Sequence, residues 1–338
     1  MTEGKTRAEH SKTPGGQPNR ALADSIQLYL EYKHINSNTT GQGPAMNPSS
    51  TLLSLRQLLE APGMVIAPGA YDAIGARLIE QAGFAAVYMT GAGTSAARGF
   101  PDFGLLTMSE MVDNAAVMAR SVAIPLIADA DTGYGNELNV TRTVREYEAR
   151  GVAAIHIEDQ VSPKRCGHLD GKEVVSRVDF VSKIRAAVEA RRTKDFVVIA
   201  RTDARAMLGL EEAIARANAA LEAGADLAFV EATQTAEEVA AVPKRVHGPC
   251  LLNVVPGGRT PVFDLREAEA MGYKLAILPG LMLKAAIEAG DAALAELKAT
   301  FKAPTVNATV AQTFRRFGAD EWDALRTRFN AGATMESR

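Results

Sequence analysis

"PLIADADTGYGNELNVTRTVREYEARGVAAIHIEDQ", residues 125–160, holds the pattern that decides the fold. A short apolar run, "PLIADA" from Pro125, ends in carboxylates, and a glycine-rich turn follows. Asn139–Arg150 then repeats apolar residues at the helical period, and "AAIHIE" from Ala153 opens a second short run. Such alternation is the signature of β/α units and a parallel sheet.

The alternation continues outward in both directions from about Leu52. Further candidate strands are "MVIAP" from Met64, "AAVYMT" from Ala85, "FVVIAR" from Phe196, "LAFVE" from Leu227, "CLLNVV" from Cys250 and "LAILP" from Leu275. Helices such as Glu211–Ala223 and Thr235–Lys244 separate them. With the first two, these strands match a (β/α)8 barrel in number and length. A doubly wound open sheet fits less well, since no glycine-rich dinucleotide fingerprint follows the first strand.

The remaining composition narrows the class. The chain has 338 residues, 47% of them apolar and 23% charged, which suits a soluble protein with a substantial core. A formal charge of −3 argues against a general nucleic-acid or membrane binder. There is no apolar run near ~18 residues that could span a bilayer, and no apolar signal core opens the chain. Two cysteines, Cys166 and Cys250, are too few for a disulfide framework and suit a reducing compartment, with the cytoplasm as default. Residues 1–50, rich in Gly, Pro, Ser, Asn and Thr, read as a disordered leader with one amphipathic helix in "ALADSIQLYLEYKHI". Its acidic residues weaken a transit-peptide reading, and Met46 is an equally plausible start. The barrel is expected over residues 51–300 and a helical extension over 301–338.

In a barrel, catalytic groups gather at the C-terminal ends of the strands, and the unusual polar residues fall there. Tyr88 and Thr90 end the second strand, Asp129 and Asp131 the third, Glu158 the fourth, Arg201 the fifth, Glu231 the sixth and Asn253 the seventh. Charges that end apolar strands are costly to bury unless they pair or hold a metal. Carboxylates two apart in an extended chain project from one face and can share a hard cation, and Mg2+ suits oxygen ligands best. A pair of solvated loop aspartates is the competing reading. Asp102, in "FPDFGLLT", is a further loop carboxylate that can join.

The stretch "SPKRCGHLDGK", residues 162–172, places Cys166 beside Lys164, Arg165 and His168. Those cations, with an imidazolium at His168, are expected to favour thiolate and lower the thiol from its free value of ~8.5. An incidental loop thiol is the plainer alternative. Zinc is disfavoured, because one Cys and one His have no matching partners elsewhere. Cys250 opens an apolar strand and reads as core, and His247 reads as a surface loop residue.

Together "ADADTGYG", "HIEDQVSPKRCGH" and "VIARTDA" resemble the isocitrate lyase/phosphoenolpyruvate mutase superfamily, and the "KRCGH" loop resembles its cysteine-bearing C–C lyase branch. The resemblance runs from about Leu52 to near Lys298. It implies a (β/α)8 barrel, Mg2+ (or Mn2+ as substitute) at the strand ends, a mobile cysteine loop, and a homotetramer whose C-terminal helices swap between subunits. Carried over by position, Asp129 would be the most direct Mg2+ ligand, with Asp102, Asp131 and Glu158 acting mainly through water. Thr90, Gly91 and Ala92 would hold the α-keto acid half, and Thr90 departs mildly from the serine often found there. Arg201, Glu231 and Asn253 would contact the other carboxylate, while Lys164, Arg165, Gly167 and His168 complete the loop beside Cys166.

The implied reaction cleaves the C2–C3 bond of a 2-hydroxy dicarboxylate. Cys166 would protonate the departing carbanion, and Tyr88 is the positional candidate for the base, a core aromatic being the alternative. "GHLDGK" and "NVVPGGRTP" are similar to the dimethylmalate-lyase and oxaloacetate-hydrolase side of the branch. Pro279 speaks against oxaloacetate hydrolysis, since that subgroup has serine there. The expected substrate is therefore a substituted malate such as 2,3-dimethylmalate, or 2-methylisocitrate, with nucleic acid and membrane excluded as partners. A phosphonopyruvate-forming mutase or an α-keto-acid decarboxylase on the same barrel is the alternative.

Overall fold

The computed structural model describes residues 53–333 except 170, 262, 263 and 306. The expected leader, its helix and Met46 lie outside the described residues. Eight strands, β1 (Val65–Ala70), β2 (Val87–Met89), β3 (Leu126–Asp129), β4 (Ala154–Glu158), β5 (Val197–Thr202), β6 (Leu227–Val230), β7 (Cys250–Asn253) and β8 (Leu275–Leu278), pair in parallel and in sequence order. β1 also pairs with β8, which closes the barrel.

Two elements differ from the sequence reading for local reasons. β2 stops before Thr90 because that residue turns to cap the helix Gly91–Ala97, its side chain accepting from the Gly93 amide. The helix expected from Glu211 starts at Arg205, but Gly209, at φ 87°, interrupts its first turns. Only the part beyond this glycine shows the helical period in the sequence. Asn139–Arg150 and Thr235–Lys244 become the helices Glu137–Ala149 and Ala236–Arg245.

Side chains alternate across each strand, so every second residue points into the barrel. Val65, Tyr88, Ile127, Ala154, Ile199, Phe229, Leu251 and Ile277, one from each strand, belong to a single buried cluster that fills it. Intervening residues such as Met89, Ala128, Ile155 and Val198 pack outward in a second cluster with Met118, Tyr147 and Ile184 of the covering helices. Cys250 is fully buried in a third cluster and His247 is exposed, as their positions led one to expect. The same two-residue period carries on past the apolar layers. It puts Asp129, His156, Glu158 and Arg201 on the inner face at the C-terminal mouth, with Asp129 beside His156 and Glu158 beside Arg201 in register.

Beyond β8 lie the helices Leu281–Thr300, Val310–Arg315 and Ala319–Ala333. No residue of the first is buried, and Leu294, Phe301, Val310, Phe314, Trp322 and Phe329 stand exposed. No helix among the described residues is long and apolar enough to cross a membrane.

Candidate active site

Asp129 accepts three hydrogen bonds at the mouth. Its Oδ1 accepts from the Asp131 amide at 2.9 Å, and its Oδ2 accepts from the Gly91 amide at 3.2 Å and from the Tyr88 hydroxyl at 3.4 Å. A Cβ at Gly91 would lie 2.5 Å from that same Oδ2, so the close approach requires glycine. Burial opposes charge on Asp129, but His156 when protonated, then Lys164, Arg201 and the Asp131 amide favour it and hold its pKa below the ordinary value. The Gly91 amide is therefore already engaged, and Ala92 sits half-buried in the turn that follows.

Tyr88 does not meet the expectation of a resting base. Burial first, and the Asp129 charge second, hold its phenol well above the ordinary value, so it stays protonated. Its oxygen lies 2.8 Å from Nε2 of His156, a fully buried residue that the sequence reading passed over as part of an apolar strand. His156 stands two residues before Glu158, and that spacing alone assigns it to the inner face. Burial lowers its pKa to about 4 although Asp129 pulls the other way, so the imidazole is neutral.

This imidazole has a measurable consequence for stability. Its folded pKa lies below the unfolded value, so its contribution is complete above the unfolded pKa of 6.5 and is lost as pH falls towards 4. The shift corresponds to about 3 kcal/mol. Urea unfolding of the protein and of His156→Gln is expected to show their stability difference shrinking towards that extent between pH 7 and pH 4. A difference independent of pH would mean that His156 is not buried neutral.

The other carboxylates of the expected metal set are arranged around a lysine. Lys164, 5% exposed, pairs with Asp102 and, at 3.0 Å, with Asp131. Lys164 was expected beside the thiol as a substrate contact, but it points instead into this acidic group. Burial raises Asp131 to about 6 in spite of Lys164, and raises Glu158 well above the usual carboxylate range in spite of Arg201. Neither Glu158 oxygen receives a properly directed hydrogen bond, although Oε2 lies 3.2 Å from Arg201 Nε. An ill-aimed N–H satisfies an oxygen poorly even at that distance.

In this network Asp102, Asp129, Asp131, Glu158, Asp203 and Glu231 share the cations Lys164, Lys172 and Arg201. The excess of acid and the two underserved Glu158 oxygens suit a hard divalent cation. Among the described residues no three His, Cys, Asp or Glu side chains converge as a ready-made metal centre.

Arg201 occupies the middle of the mouth. It lies 2.9 Å from Asp203, 3.2 Å from Glu158 and 3.4 Å from Glu231, with its guanidinium over the Phe229 ring at 5.1 Å. Asn253 donates to Glu231 at 2.9 Å and leaves its own carbonyl oxygen without a partner. Asp203 was not singled out in the sequence, yet it stands two residues beyond Arg201 and the strand period could have found it. Asp159, also missed, is buried and bound by Thr202, Arg216 and the Asp203 amide.

The cysteine loop lies folded over this group. A Cβ at Gly167 would come within 2.5 Å of Arg201 and 2.7 Å of Glu231, which seats the loop backbone directly on both. His168 Nδ1 accepts from the Arg259 amide at 3.0 Å, so its neutral form carries the proton on Nε2, 3.5 Å from Glu231. Burial lowers the His168 pKa, and the expected imidazolium is absent. The expected thiolate is absent as well: burial pushes the Cys166 thiol up, outweighing a hydrogen bond from the His168 backbone and the pull of Arg201 and Lys164. Arg165 is exposed, 5.7 Å from the Phe103 ring, and takes no part in the inner site. Pro279 follows β8, where its backbone backs onto Gly69 of β1 at the barrel mouth.

A family model described as phosphoenolpyruvate phosphomutase matches residues 55–298. A 2,3-dimethylmalate lyase from Eubacterium barkeri is 47% identical over 269 residues, covering 79% of this chain and 92% of the relative. A 2-methylisocitrate lyase from Aeropyrum pernix is 45% identical over 245 residues, covering 72% and 79%. A crystal structure of 2,3-dimethylmalate lyase superposes with a TM-score of 0.77 at 43% identity, covering 82% of this chain and 93% of that one.

Proposed function

The chain belongs to the phosphoenolpyruvate phosphomutase family, and from that membership we propose that it is a carbon–carbon lyase. It cleaves a substituted 2-hydroxy dicarboxylate of the 2,3-dimethylmalate or 2-methylisocitrate type into pyruvate and a second carboxylic acid. The observation that carries this reading is the cysteine loop seated on Arg201 and Glu231, with a protonated thiol one residue from the seat.

Asp129, backed by Asp102, Asp131 and Glu158 through water, would hold Mg2+, with Mn2+ as a substitute. The ion supplies Lewis acidity to the 2-hydroxyl and its neighbouring carboxylate. Arg201 binds the second carboxylate and can exchange a contact with Glu231 or Glu158 to do so. Thr90 and the helix start at Gly91 and Ala92 border the keto-acid half. Tyr88, held between Asp129 and His156, takes the 2-hydroxyl proton as its own passes to His156 Nε2, 2.8 Å away. Cys166 delivers its proton to the carbon that leaves, and the folded loop keeps water away.

The exposed apolar residues of the C-terminal helices support assembly as a homotetramer in which these helices cover a neighbouring subunit. Chelation with EDTA is expected to abolish pyruvate release, with Mg2+ or Mn2+ restoring it and Asp129→Ala failing to respond. Undiminished release after exhaustive chelation would remove the ion from the reaction.

A further inference from the structure

The loop that carries Cys166 is a closed excursion. Its neck is fastened by a bridge between Gln160 and Val174 and by the Val161 amide donating to the Glu173 carbonyl at 2.8 Å. On the outgoing limb, the Gln160 side chain holds the Arg165 backbone from both sides, at 2.9 and 3.0 Å. Those bonds fix the neck but leave the tip, where Cys166 and Gly167 lie, to be placed by something else.

Lys172 reaches back from the returning limb to that tip. It is 7% exposed, and its ammonium donates to the Gly167 carbonyl and, at 3.1 Å, to Asp203 Oδ1. Asp203 in turn accepts from Arg201 at 2.9 and 3.2 Å. One buried ammonium therefore ties the peptide next to Cys166 to the carboxylate that orients Arg201. Burying an ammonium is costly unless it is paired and hydrogen-bonded, and here both of its partners belong to the seat of the loop.

We propose that Lys172 is a positioning residue that latches the cysteine loop shut: its ammonium joins the Gly167 carbonyl to Asp203 and so sets the place of the Cys166 thiol over Arg201. When a substrate carboxylate engages Arg201, Asp203 keeps Lys172 as counter-ion, so the latch holds while the site is filled. Removing Lys172 should expose the thiol and, because burial is what raises its pKa, lower that pKa as well. The proposal rests on the reading of Cys166 as proton donor for its effect on turnover, but not for its effect on loop position.

The test is alkylation by iodoacetamide at pH 8.5, followed by mass spectrometry of the peptides bearing Cys166 and Cys250. Lys172→Met is expected to raise the Cys166 rate about 10- to 100-fold, the opening gained when one charge-assisted hydrogen bond is lost. Cys250, fully buried in the outer core, should react no faster and reports on general unfolding. Lys172→Arg, which keeps a charged donor, should restore most of the protection. If the methionine variant is not recovered folded, Lys172→Gln, which removes the charge and shortens the reach while keeping a polar end, gives the same reading.

On a substrate that releases pyruvate, kcat should fall at least ~10-fold with KM moving less than about threefold, the split expected when a transition-state contact alone is lost. A Cys166 rate within about twofold of the parent overturns the latch, because the lost bond should give far more. A Cys250 rate that rises in step overturns it too, whereas unchanged kcat beside faster Cys166 alkylation strikes the reading of Cys166 as proton donor. Faster Cys166 alkylation in a protein that releases no pyruvate from any hydroxy acid would support the latch and strike the reading of the reaction instead.

Discussion

Cys166→Ser is expected to lower turnover at least ~100-fold while leaving KM little changed. The burial that pushes the thiol up keeps it protonated at neutral pH, which is the state a proton donor needs. A serine hydroxyl in the same place is a far weaker acid, so the carbanion would lose its donor while Arg201 and the carboxylate group still held the substrate. Substrate bound with Mg2+ is expected to shield the parent thiol from iodoacetamide by keeping the loop closed. An incidental loop thiol predicts neither effect. Turnover of the serine variant near the parent rate on a confirmed substrate would remove Cys166 from the chemistry and leave the fold untouched.

Arg201→Met should produce the larger structural effect. Arg201 is 7% exposed and lies against Glu158, Asp203 and Glu231 at once. Removing one side of a buried ion group leaves the other uncompensated, at a cost of about 3–5 kcal/mol. Urea unfolding at neutral pH should register that loss, and pyruvate release should disappear with the carboxylate anchor. Arg165→Ala, taken from an exposed position of the neighbouring loop, should change stability by no more than about 0.5 kcal/mol. An Arg201→Met protein within about 1 kcal/mol of the parent would show that its carboxylates are protonated or hydrated rather than held by the guanidinium.

Much of this arrangement was legible in the chain because strand chemistry is local. Buried parallel strands are nearly continuous apolar runs, so "FVVIAR" and "AAIHIE" announced both a strand and the charge at its end. Glu158, Arg201, Glu231 and Asn253 followed from position alone, and the structure sets them together. His156 is masked by the apolar run that encloses it and Asp203 lies past the strand's last charge, although each is two residues from one.

Other features had no local signal. Lys172 meets Asp203 across 31 residues and Arg216 meets Asp159 across 57, and no spacing rule spans a folded loop. The charge state of Cys166 was misread for a related reason. Neighbours in sequence count charges, but Lys164 turns to Asp102 and Asp131, Arg165 turns outward, and burial then decides the thiol.

The central claim, cleavage of a substituted hydroxy dicarboxylate, is tested most directly by following keto-acid release in the presence of Mg2+, as pyruvate from 2,3-dimethylmalate and 2-methylisocitrate and as glyoxylate from malate and isocitrate, with oxalate followed from oxaloacetate. The account predicts release from 2,3-dimethylmalate or 2-methylisocitrate with kcat/KM at least ~10-fold above malate and isocitrate, the discrimination that one fitted methyl group supplies. No pyruvate from either substituted acid, together with oxalate formed from oxaloacetate or phosphonopyruvate formed from phosphoenolpyruvate, would contradict it.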